Sequence, residues 1–408
     1  MAVCLADIVK TLLRPTARAT GLLAGALGVT SFSAYAQTSW TGTTSTDWFT
    51  ATNWSTATVP IASDIVSVGT ITPFPTVIAG GAAVAAGTDI ANSAGSQGAV
   101  TVTGAGSTWT NSGLLSVGTN GTGALTIANG GVVSNTNGFI GFATGSQGAV
   151  TVTGAGSTWI NSGDLFVGRL GSGALTIANG GTVNVGGGAG TAFVANQAGS
   201  TGTLNIGAAP GDPAAAPGTL NAATVSLGAG TANLNFNHTA TNYVFAPIIS
   251  GSGAVNVFAG TTVLSGNNTY TGATTVNAGT LIVDGSIASS SLTTVSGGGT
   301  LGGSGTVGAT SILSGGTLAP GPSGTPGTMT VAGNLAFQSG ALYVVQVNPT
   351  TASTTNVGGT AALAGTVQAN FLPGSFVERS YTVLTAAGGR SGTFDALTVS
   401  GLPAKKLA

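Results

Sequence analysis

The sequence predicts an all-β fold, a right-handed parallel β-helix, on three observations. There is a 50-residue repeat with a 25-residue half-period, a two-residue alternation inside each repeat, and a set of glycine-rich turns. Gly95 to Trp109 reads GSQGAVTVTGAGSTW, and the same string recurs from Gly145 to Trp159. GALTIANGG at 123–131 recurs at 173–181. At the half-period, Gly98-Ala99-Val100-Thr101-Val102 aligns with Gly123-Ala124-Leu125-Thr126-Ile127, and Leu115-Ser116-Val117 aligns with Ile140-Gly141-Phe142.

Each segment alternates apolar with small or polar residues, the mark of a strand with one buried face. The inward positions read as Val100/Val102, Leu115/Val117, Leu125/Ile127, Ile140/Phe142, Val150/Val152, Leu165/Val167 and Leu175/Ile177. Glycine pairs and Asn-Gly steps between them supply the positive φ that tight turns need. The best partner of each strand lies one 25-residue unit away, so like stacks on like and each coil covers the apolar edge of the last. A propeller also repeats at about 40–50 residues, but the half-period argues against one.

The N-terminus reads as a cleaved secretory signal. Lys10, Arg14 and Arg18 precede an apolar run from Gly21 to Phe32, and Ala34-Tyr35-Ala36 offers a cleavage site before Gln37. That run falls short of the roughly 20 residues a spanning helix needs. The only cysteine, Cys4, lies inside the signal, so disulfide and thiol chemistry are not expected of the mature chain. The expected organisation is a signal at 1–36, an opening segment at 37–94, β-helix repeats at 95–250, a second repeat region at 251–334 and a C-terminal region at 335–408. Charged residues make up 4% of the chain and the net charge is -1, which leaves no basic stripe for nucleic acid. Apolar residues at 42% argue against disorder.

Little in the sequence suggests catalysis. His238 is the only histidine, and in its Thr/Asn-rich setting it reads as a surface residue. One histidine and no mature cysteine cannot assemble a His/Cys metal site. A polysaccharide-acting β-helix enzyme is the alternative, and it would need clustered carboxylates. The acids Asp47, Asp64, Asp89, Asp164, Asp212, Asp284, Asp395 and Glu378 fall at no common phase of the repeat. No cofactor, metal or calcium site is expected. Trp109 and Trp159, one repeat apart, are the candidate ligand contacts: a sugar-binding strip if exposed, corner packing if not. Ala208 to Pro217 breaks the pattern and reads as a protruding loop.

Several segments resemble bacterial autotransporter passenger domains. They are the opening Trp40-Thr41-Gly42, Asp47-Trp48 and Asn53-Trp54-Ser55, the VTVTGAGSTW and GALTIANGG strings, and above all GTTVLSGNNTYTGATTVNAGTLIV at 260–283, similar to the autotransporter-associated β-strand repeat. GGGTLGGSGTVG at 297–308, Gly316 to Gly321, GGTAALAGTVQANF at 358–371 and YTVLTAAGGRSGTF at 381–394 extend the likeness. The resemblance implies export through the inner membrane and a place at the cell surface, in the outer membrane or in the medium. It implies an outer-membrane translocator barrel as partner, on a missing C-terminal part or a separate chain, and a host-surface or self-association partner. An interrupted, undisplayed passenger is the third reading. The resemblance also implies that 335–408 is an autochaperone-like cap. Its long apolar side chains would seed folding and close the edge of the stack.

Overall fold

The computed structural model describes residues 37–71, 73–322, 324–377 and 379–401. The signal segment with Ala34 and Ala36 lies outside the described residues, and Gln37 opens the first described strand, Gln37–Ser39. Tyr35–Ala408 forms one compact unit. Its named strands pair in parallel, in five sheets, and the helical elements among the described residues are 3-10 turns at Ala51–Asn53 and Gly186–Gly188.

One 14-stranded sheet runs along the whole stack, from Thr76–Ala79 to Arg390–Gly392. At a strand spacing of ~4.8 Å its thirteen steps span about 62 Å. In the first half of the chain two further sheets complete each coil. One has nine strands, from Gln37–Ser39 to Ile248–Gly251, and the other six, from Ala82–Ala85 to Thr219–Asn221. Both end between 220 and 251. An eight-stranded sheet starting at Tyr243–Val244 and a five-stranded sheet starting at Ser286–Ile287 then take over. The parallel β-helix is therefore continuous on one face and rebuilt on the others.

The alternation sets the register. Gln147–Thr153 lies between Thr122–Ala128 and Ser172–Ala178 with every residue aligned to its 25-residue homologue. Val100, Val102, Leu125, Ile127, Val150, Val152, Leu175 and Ile177 are all buried. The Asn-Gly turns behave as their chemistry dictates: Asn129 and Gly130 have φ of 53° and 86°, and Asn179 and Gly180 repeat this with 52° and 80°.

One alignment needs correction. Leu115 and Val117 pair with Gly138 and Ile140, so the true offset there is 23 residues and Phe142 is a half-exposed turn residue. A two-residue slip keeps the buried face, which is why alternation alone did not reveal it. The slip accumulates over two corners, the offset being 25 at Val102–Ile127, 24 at Trp109–Val133 and 23 at Leu115–Gly138. A Cβ at Gly138 would lie 2.7 Å from Trp159 Cζ2 and 2.4 Å from Asn161 Oδ1, so the indole of one coil fills the space left by glycine in the coil before it.

The two ends are built differently. The N-terminal end is closed by Trp40, Trp48 and Trp54, all buried, with ring centroids 5.0 Å (Trp40–Trp54) and 4.6 Å (Trp48–Trp54) apart. Trp48 continues to Trp109 at 5.4 Å. Residues 335–401 continue the coil. Their last strand, Ala396–Ser400, aligns Leu397 and Val399 with the core column of Val367 and Ala369, yet leaves them 65% and 45% exposed. At this end Phe394 stacks on Tyr343 at 5.8 Å and meets Phe337 at 5.3 Å.

Candidate functional site

The residues singled out by sequence do not converge on one surface. Trp109 and Trp159 have no exposed area, so they offer nothing to a ligand in the folded coil. Trp159 Nε1 donates to Asn135 Oδ1 (2.7 Å), and Asn135 Nδ2 donates to Asn161 Oδ1 (2.7 Å), a buried amide ladder beside the indole. Six of the described acids accept hydrogen bonds, within a turn or from a neighbouring coil. Asp47 accepts from Phe49 N and Thr50 Oγ1, Asp64 from Ile61 N, Asp164 from Thr191 N, Asp284 from Ser304 N and Asp395 from Gly365 N. Asp89 accepts from Thr119 Oγ1. Glu378 lies outside the described residues.

His238 is buried, which corrects its reading as a surface residue. Its Nε2 lies 2.9 Å from Thr262 Oγ1, and the rings of Tyr243 and Phe236 stand 5.1 and 6.4 Å away. The segment 208–217 produces this burial. It folds back so that Ala215 bridges to His238 and Thr239 N donates to Ala215 O. Asn237 Nδ2 pins it by donating to Ala209 O and Asp212 O, each at 2.9 Å. The loop is a strap over the point where the sheets exchange.

Desolvation lowers the His238 pKa below its ordinary 6.5, with a backbone hydrogen bond at Ala240 opposing. The folded chain holds the neutral ring, whereas the unfolded chain takes up a proton as pH falls through about 6.5. The stability from this group is complete above that pH and is lost as pH falls toward the lowered folded value. The thermal midpoint should therefore drop between about pH 7.5 and about pH 5, and His238→Gln should flatten that drop. Equal pH slopes for the two chains would count against the assignment.

Two side-chain columns were missed in the sequence, both partly covered, since Phe139, Asn205 and Asn235 are buried. The first is an aromatic ridge on the short strands Gly138–Ile140, Leu165–Val167 and Thr191–Val194. Phe139, Phe166 and Phe193 stack at 4.9 Å with interplanar angles of 12° and 10°. Arg169 lies 4.5 Å above the Phe142 ring beside it. The second is an amide column on the 14-stranded sheet. Asn256 Nδ2 donates to Asn235 Oδ1 (3.0 Å), Asn235 Nδ2 to Asn205 Oδ1 (2.9 Å) and Asn205 Nδ2 to Thr176 Oγ1 (3.2 Å). Seen in sequence, these are Asn residues replacing the Thr of earlier coils at one register position.

Just past the strap the coil tightens. Strand Thr261–Leu264 is followed by a turn in which Asn268, buried, accepts from Ile249 N and donates to Gly266 O, tying successive coils together. Tyr270 points into the core, its hydroxyl 2.6 Å from Thr274 Oγ1, which in turn lies 2.9 Å from Ser290 Oγ. Burial pushes the Tyr270 pKa upward, so the phenol stays protonated. Strand Gly279–Val283 then pairs back onto Thr261–Leu264 and completes one turn of the stack.

That single coil coincides with a known repeat. Residues 259–283 match the family model described as Passenger-associated-transport-repeat. The chain thus carries one copy of a repeat associated with passenger transport, set in a parallel β coil. A comparison with curated proteins gives no match.

Proposed function

We propose that the chain is an exported passenger that stands at the bacterial surface, or is released from it, and works by adhesion or self-association. The observation that carries this is the transport repeat at 259–283, set in an uninterrupted parallel coil with outward columns of Thr, Asn and Phe. Supporting it, Asp47 and Asp64 hydrogen-bond within their own turns, and Asp164, Asp284 and Asp395 accept from backbone N–H groups of neighbouring coils. Export would pass through an outer-membrane barrel, and the contact partner would be a host surface or a second copy of the chain. Both fit a rod whose recognition elements lie along its flank.

The test is made on whole cells. With the gene intact, antibody to the coil should label unpermeabilised cells or the medium, and the cells should settle or adhere faster than a deletion strain. Label confined to permeabilised cells, or polysaccharide hydrolysis by the purified chain, would contradict the proposal.

A further inference from the structure

We infer that a groove on the 14-stranded sheet, between the strap and Phe258, binds an uncharged glycan; this rests on the adhesive reading and names the ligand class. The groove has a volume of about 490 Å³ and crosses four neighbouring strands. That is about 14 Å along the stack at the ~4.8 Å strand spacing.

Three features make it a built site. Its floor is the amide column, and the column has a direction: each Nδ2 is given to the coil before, so Asn256 Oδ1 is left as an acceptor with no donor from the chain. The Asn233 and Asn277 side-chain amides, which also line the groove, make no hydrogen bond within the chain either. One wall is Pro210 at the tip of the strap, which Asn237 holds in place. The other wall is Phe258. The strand pairing slips there, with Phe236 opposite Val257 but Asn237 opposite Ala259, so Phe258 is the bulged residue. A bulge re-aims a side chain, and this one sets a half-exposed ring at the groove.

The chemistry selects the ligand. No charged side chain lines the groove, so nothing favours phosphate, sulfate or uronate. The strands beneath are paired on both sides, which rules out binding a peptide by strand addition. Pro210 is the one aliphatic side chain of the lining, too little to seat a peptide's hydrophobes. What remains are amides and hydroxyls that both donate and accept, plus one aromatic face, a set that matches vicinal hydroxyls and the C–H face of a sugar ring.

The experiment is calorimetric titration of the full chain with linear oligomers of glucose, xylose and N-acetylglucosamine, with polygalacturonate and heparin as anionic comparators. At least one uncharged oligomer should bind with an affinity independent of salt. Phe258→Ala and Asn277→Ala, both at half-exposed positions, should each weaken it about tenfold, while Phe166→Ala on the aromatic ridge leaves it unchanged. The inference is overturned if no uncharged oligomer binds, if only the anionic polymers bind, or if both groove variants bind as the parent does. Cell adhesion that survives both groove variants would remove the groove and keep the adhesive reading. Oligomer binding that both variants weaken, in a chain that promotes no adhesion, would do the reverse.

Discussion

Replacing Gly148 with valine should prevent the central coils from stacking, whereas Ala149→Ser, one residue on, should leave stability unchanged. Gly148 belongs to a column with Gly123 and Gly173, at the second residue of the long strands. A Cβ there would stand 2.2 Å from Val117 O, 2.5 Å from Gly141 N and 2.8 Å from Ile140 Cγ2. Two of those contacts are backbone of the neighbouring corner, which cannot swing aside as a side chain can. Overpacking against backbone belongs among the exceptional substitutions, at roughly 4 kcal/mol or more. Because each coil is held only by its neighbours, the break should propagate along the stack. Urea unfolding and the yield of folded chain measure the effect, and a valine variant within about 1 kcal/mol of the parent would refute the packing described.

The second large effect is a coupled one. Trp159→Val removes a side chain with no exposed area and strips Asn135 Oδ1 of its indole donor. Large-to-small changes of this kind cost about 3–5 kcal/mol. Valine is what the adjoining coils carry at this register, at Val133 and Val183, so backbone strain adds nothing. Gly138→Ala alone should also destabilise, since its Cβ would press on the indole. Combined with Trp159→Val, it should cost clearly less than it does alone, with a coupling of about 1 kcal/mol or more. Additive losses in denaturant midpoints would mean that the two coils do not share this space.

This pair explains what the sequence could and could not convey. Alternation identified the buried faces at Val100/Val102 and Leu125/Ile127 because side-chain direction in a strand depends only on parity. It misread Phe142 because a slip of two preserves parity. The doubled repeat was visible, but the fit of Trp159 against Gly138 was not, because sequence order does not display it. His238 was misread because its cover comes from the strap twenty to thirty residues upstream, held by Asn237. The amide groove was missed for a simpler reason. Asn233, Asn256 and Asn277 are unremarked in a chain rich in Asn, and only the register of the coils brings them together.

Distances along one outward column test the stacked coil most directly. Thr101, Thr126, Thr151, Thr275 and Thr294 share a register position on the 14-stranded sheet. The chain has one cysteine, Cys4, so with Cys4→Ser, pairs of cysteines at these threonines can carry spin labels for dipolar spectroscopy. At ~4.8 Å per rung, Thr151 to Thr275 should lie about 24 Å apart, Thr126 to Thr275 about 29 Å and Thr101 to Thr294 about 38 Å. A constant increment per rung is the expected result. Distances that do not grow with the number of intervening coils, as in a ring of blades, would contradict the parallel β-helix itself.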